Sequence, residues 1–315
     1  MLIAIIVLLV IFALQKKPIE LFEPYSGQKL EYGTTALTSF ATDKAFSAGV
    51  CIGENDTPNS NISITGDERA ALFSLEDNTV VYSKGMYDRI YPASVTKIMT
   101  AILALKYGNM DDVVSINWRD LELESGSQVV GFKIGDKVTL ENLMKGLLVH
   151  SGNDAAMAIA RHIGGSTEKF VEMMNEEARL LGATNTHFVN PSGLHDADHY
   201  TTVYDIYLML NEAVKYDDFL NTIQIAVYDM TYADSAGNEK HVTLDSTDHY
   251  LTGSAHPPKD VTVLGGKTGT TDAAGNCLAL FSQNAFGQPY ISVVVKAADK
   301  DTLYRDMNEM LAQIN

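Results

Sequence analysis

Three short stretches carry the residue types that covalent acyl transfer needs. Ser94 and Lys97 stand three apart in YPASVTKIMTA, Ser151 and Asn153 two apart in LLVHSGNDAAMAIA, and Lys267, Thr268, Gly269 and Thr270 run together in GGKTGTTDAAGN. A hydroxyl at i and an amine at i+3 share one helix face. In a water-poor place near another cation a lysine gives up its proton more readily. The neutral amine can then take the hydroxyl proton as the oxygen attacks a carbonyl. The start of a buried helix adds a free backbone N–H and a positive dipole end, both suited to the oxyanion that forms. Lys267 with its flanking threonines offers charge and donors to a carboxylate, and Gly269 leaves a strand edge open to an approaching substrate backbone.

Each pattern alone is common. S-x-x-K recurs at Ser166 to Lys169, and S-x-N recurs at Ser115 to Asn117 and Ser282 to Asn284. Context separates the copies. Ser166 reads as the cap of a solvated helix. Only Ser94 opens a helix that is apolar nearly all round, with Val95, Ile98, Met99, Ile102 and Leu105 at helical spacing and a stop at Gly108. Only Ser151 sits in a tight break between two helical patterns, 139 to 150 and 153 to 165.

Further elements must hold these residues in place. Residues 70 to 85 predict a hairpin around Asp77 and Asn78. Helices are expected over 166 to 183, 201 to 216 and 299 to 314, and strands from Val261, Asn276 and Tyr290, the last two joined by the loop NAFGQP. Strands at both ends with helices between predict an α+β fold in three layers: an antiparallel sheet flanked by helices, with a helical lobe inserted and a cleft between.

Forty acidic against 23 basic residues give a net charge of −17, which repels phosphates and argues against nucleic acid as a partner. Leu2 to Leu14 is an unbroken apolar run. As a helix it spans about 20 Å, short of the roughly 30 Å hydrocarbon core, so residues 1–17 read as an export signal or thin anchor. Residues 18–67 are polar and turn-rich and read as a linker or stalk, which leaves 68–315 as the folded domain. Cys51 and Cys277 form neither a metal cluster nor a redox motif, and their pairing stays open. His195, Asp198 and His199 have a spacing that zinc accepts, but as a loop after the Pro191-Ser192-Gly193 turn they are expected to carry no chemistry.

From about residue 68 onward the chain resembles the serine D-alanyl-D-alanine carboxypeptidases, the low-molecular-weight penicillin-binding proteins of β-lactamase and transpeptidase-like fold. The likeness lies in the three motif stretches and in GDKVTLENLMKGLL, NTHFVNPSGL and HYTTVYDIYLM. The resemblance implies that Ser94 is the acylated nucleophile, Lys97 its base and Ser151 the proton relay to the leaving amine. It further implies that Asn153 orients substrate and Lys97, that Lys267 binds the terminal carboxylate, and that the N–H groups of Ser94 and Thr270 form an oxyanion hole. Peptidoglycan pentapeptides are then the substrate and β-lactams covalent inhibitors, with no metal or cofactor, outside the cytoplasmic membrane. Family members often continue into a second β-rich domain and an amphipathic helix, whereas this chain ends at Asn315, so attachment to the membrane is expected through the N-terminus. An endopeptidase shares the pattern. A serine β-lactamase would need a glutamate-bearing E-x-x-L-N loop between Asn153 and Lys267, and none is there.

Overall fold

The computed structural model describes residues 49–315. The apolar leader and most of the expected stalk lie outside the described residues. Strands β1 (Arg69–Ser74) and β2 (Thr79–Lys84) form the expected hairpin, with Asn78 in the left-handed conformation at its turn. Strands β7 (Thr262–Thr271), β8 (Gly275–Gln283) and β9 (Pro289–Ala297) complete an antiparallel five-stranded sheet in the order β2-β1-β9-β8-β7.

Side chains alternate across this sheet, so its two faces bury different partners. On one face Leu72, Leu278, Leu280 and Val294 pack against Leu303, Met307, Met310 and Leu311 of the last helix (Lys300–Leu311). On the other, Phe73, Ile291, Val293 and Val295 meet the helical part of the molecule. At its centre is α1 (Lys97–Tyr107), buried from Lys97 to Ala104. Around it lie α2 (Leu140–Leu148), α3 (Asn153–Gly164), α4 (Thr167–Leu180), α5 (Val203–Ala213) and α6 (Asp217–Ile223). Ile98 and Ile102 are fully buried, each side chain contributing about 2 kcal/mol from burial. Ser166 caps α4 by accepting the Lys169 N–H, the structural role read for that motif copy.

The structure departs from expectation in two places. A second, four-stranded sheet, β3 (Val113–Ser115), β4 (Lys137–Thr139), β5 (Val227–Ala233) and β6 (Glu239–Asp245), edges the helical part. The stretch from 50 to 67, read as stalk, lies against the domain: Cys51 is fully buried and Ile62 and Ile64 nearly so. The Cys51 N–H donates to Tyr207 Oη and Tyr204 donates back to the Cys51 carbonyl. Three apolar residues thinly spread among polar ones give no periodic signal, yet each fills a gap in the core. Cys51 and Cys277 are free and buried, and burial pushes the Cys277 thiol up to about 12.

Candidate active site

Ser94 lies on a 3₁₀ turn, Ala93–Thr96, that runs into α1. In this tighter winding side chains at i and i+3 eclipse, which sets Lys97 Nζ 2.9 Å from Ser94 Oγ. The amine also donates to Asn153 Oδ1 at 2.7 Å and to the Ser192 carbonyl at 2.7 Å. Lys97 has no exposed surface. Burial, reinforced by the Lys267 charge, holds its amine well below the usual lysine range, against a smaller upward pull from Asp154.

Asn153 begins α3 and Ser151 precedes it at φ +63°, a left-handed backbone that places its hydroxyl 3.0 Å from Lys267 Nζ. Lys267 also donates to the Thr268 carbonyl at 2.8 Å and is itself fully buried. Burial draws it down to about 7 while Asp248 pulls it up. The eight sequence-predicted residues therefore meet in one place, around a cleft of about 510 Å³. Ser94, Ser151, Asn153, Thr268, Gly269 and Thr270 line the cleft; the two lysines lie beneath its surface.

The expected roles at the Lys267 stretch change in detail. A Cβ on Gly269 would sit 2.9 Å from the Ser94 nitrogen and 3.0 Å from the Pro92 carbonyl, so the backbone that Gly269 admits is the protein's own nucleophile turn. Thr268 and Thr270, and not the enclosed Lys267 ammonium, are the groups of this strand that a ligand in the cleft meets first.

Several contributors escaped the sequence reading. The Ser192 carbonyl is delivered by a loop in which Asn190 Oδ1 accepts the N–H groups of Ser192 and Gly193. Asp154 accepts the N–H groups of Val130, Gly131 and Phe132, fixing the loop whose Gln128 carbonyl accepts the Asn153 N–H. The stretch NPSGL and the aspartate after Asn153 were the available signals, but a carbonyl and a buried loop anchor have no motif of their own.

His195, Asp198 and His199 do not converge. His199 is buried, its Nδ1 accepts the Val189 N–H at 3.2 Å, and Nε2 therefore carries the proton toward Thr96 Oγ1 at 2.9 Å. Burial pushes it down to about 4. His195 is exposed and packs edge-on against Tyr91. Among the described residues no group of three or more His, Cys, Asp or Glu is placed to hold a metal ion.

A five-stranded antiparallel sheet with a helical lobe, and between them a cleft serine paired with a buried lysine, defines the class, and comparison places the chain within it. Residues 58–299 match the D-alanyl-D-alanine carboxypeptidase family, peptidase S11, and the chain belongs to that family. It is 34% identical to D-alanyl-D-alanine carboxypeptidase DacF of Bacillus subtilis over 214 residues, 66% of this chain and 52% of that one. With DacC of Escherichia coli it shares 31% over 257 residues, 78% and 60% of the two chains. It thus spans 52% to 60% of the length of these curated relatives. The crystal structure of the Streptomyces K15 DD-transpeptidase matches with a TM-score of 0.72 at 25% identity, covering 81% of this chain and 97% of that one.

Proposed function

We propose that this protein is a serine D,D-carboxypeptidase that removes the terminal D-alanine of peptidoglycan stem peptides through an acyl-Ser94 intermediate. The observation that carries the reading is the surroundings of Lys97 Nζ: two carbonyl-type acceptors, Asn153 Oδ1 and Ser192 O, and one hydroxyl, Ser94 Oγ. A neutral amine has two N–H donors and one lone pair. With both donors given to the carbonyls, the lone pair faces the Ser94 hydroxyl and takes its proton as Ser94 attacks the D-Ala-D-Ala carbonyl. The N–H groups of Ser94 and Thr270 stabilise the oxyanion. Ser151 hands its hydroxyl proton to the leaving amine and regains the one that Lys97 took from Ser94, while its oxygen accepts a hydrogen bond from Lys267. The terminal carboxylate rests on Thr268 and Thr270, above the Lys267 charge. Water then releases the acyl group.

In this reading β-lactams acylate Ser94, since their ring amide stands in for the scissile bond. The apolar run 1–17 addresses the chain to the outer side of the cytoplasmic membrane, with the catalytic unit starting at about Val50. A pentapeptide ending in D-Ala-D-Ala is expected to yield free D-alanine with the parent enzyme and none above background with Ser94→Ala. Peptide mapping after β-lactam treatment should put one adduct on the Ser94 peptide. Release that survives Ser94→Ala, or an adduct at Ser166, overturns the assignment.

A further inference from the structure

Between β6 and a short helix α7 (His249–Thr252), Thr247 touches both the Ser151 and the Lys267 stretch without belonging to either, and Asp248 follows it. The Thr247 N–H donates to the Val149 carbonyl at 3.2 Å, two residues before Ser151. Its hydroxyl lies 2.5 Å from Thr268 Oγ1, and its side chain lines the cleft. Asp248 is 2% exposed and caps α7 by accepting the Tyr250 N–H at 3.0 Å. Tyr304, on α8 (Lys300–Leu311), donates to the same oxygen at 3.4 Å. The other oxygen is buried with no hydrogen-bond partner among the described residues.

A carboxylate enclosed in this way is costly unless an opposite charge offsets it. Burial pushes the Asp248 carboxyl up to about 6, opposed by the Tyr250 N–H, by Tyr304 and by the charge of Lys267, on the strand that Thr247 holds. We infer that Thr247 and Asp248 are a positioning unit for the proposed reaction: Thr247 fixes Thr268 against the Ser151 turn, and Asp248, buried as the cap of α7, holds Thr247 in place and sets a carboxylate behind the Lys267 strand. The inference rests on the carboxypeptidase reading of the same site.

The consequence is a pH dependence with a definite sign. The groups facing Asp248 are Lys267 from β7, Tyr304 from α8 and Tyr250 from its own helix, while His249 stacks on Tyr304. Lys267 in turn acts on Lys97 of α1, which also feels Asp154 of α3. Without the Asp248 charge, Lys267 sheds its proton at lower pH, and the alkaline limb of kcat/KM moves toward acid. Asp248→Asn should narrow the pH profile from its alkaline side.

The experiment measures D-alanine release from the pentapeptide across the pH profile, with β-lactam acylation and thermal melting alongside. Asp248→Asn is expected to lose about tenfold more of its kcat/KM on the alkaline side than at its optimum, as a limb displaced by about one pH unit requires. Asp248→Glu, which keeps the charge, should keep the alkaline limb. Thr247→Val should lose about 3- to 10-fold in kcat/KM at every pH, and Thr247→Ser should recover it. If Asp248→Asn does not fold, Tyr304→Phe, which strips a donor from the carboxylate, should narrow the profile in the same sense. A parent enzyme that neither releases D-alanine nor takes a β-lactam overturns the proposed function, and this inference with it. A parent that does both, beside an Asp248→Asn slowed equally at all pH and a Thr247→Val not slowed, overturns the inference alone.

Discussion

Ser151 holds a conformation that serine seldom adopts, at φ +63°, and it does so where its hydroxyl meets Lys267. A left-handed backbone costs a side-chain-bearing residue about 1 to 2 kcal/mol, so strain and chemistry sit on the same residue. Two substitutions separate them. Ser151→Ala removes the hydroxyl and keeps the strain, whereas Ser151→Gly removes both. Both variants should lose D-alanine release alike, while the glycine variant melts at the higher temperature and is more stable by about 1 kcal/mol. Equal stability in denaturant titration would mean that the backbone is not strained there. At this scale the sequence was informative about side chains that do chemistry in their own name, such as Ser94, Lys97 and Lys267. It was silent about the Ser192 carbonyl, because any residue type could supply that oxygen. It was silent about Asp248 as well, because a buried counter-charge is defined by what packs around it.

Among the elements, the 3₁₀ turn before α1 meets the loop that carries Ser192. Gly193, at φ +84°, leaves no room for a side chain: a Cβ would lie 1.8 Å from the Ala93 carbonyl. Gly193→Ala therefore combines backbone strain with overpacking against the residue before the nucleophile, a destabilisation of about 2 to 5 kcal/mol. It should also slow β-lactam acylation sharply by moving both Ser94 and the Ser192 carbonyl. Gly165 is the control, since it has φ +76° but nothing within 4 Å of an added Cβ. Gly165→Ala should cost only about 1 kcal/mol and leave acylation at the parent rate. Similar losses in the two variants, read by melting and acylation together, would sink the steric account. Helices with a clear apolar face and a capping residue, such as α4 and the Asp299-capped α8, were legible from residue spacing alone. The β5–β6 hairpin was not. Met230 and Leu244 are the fully buried residues of its two strands, so alternation never rises above the surrounding Asp, Lys, His and Glu.

For the molecule as a whole, the segment leading into β1 behaves as part of the domain. The Ser83 N–H donates to the Thr57 carbonyl and the Thr57 N–H to Ser83 Oγ, both at 2.8 Å, which ties it along β2. Cys51 closes over the stacked rings of Phe73 and Tyr207, whose centroids are 4.1 Å apart, and Ile62 and Ile64 join the apolar layer of the C-terminal helix. Burying these three side chains contributes about 3 to 5 kcal/mol, a large share of the roughly 5 to 15 kcal/mol by which a domain is stable. A stalk would contribute nothing of the kind. Two truncations compare the alternatives directly: a chain starting at Gly49 and one starting at Glu68. The shorter chain is expected to melt on the order of 10 °C lower and to expose its Phe73–Tyr207 stack to solvent. Residues of the cleft are supplied from Ser94 onward, so acylation of Ser94 at low temperature should persist in whatever fraction of the shorter chain stays folded. Coincident melting curves for the two chains would return the segment to the role of a linker.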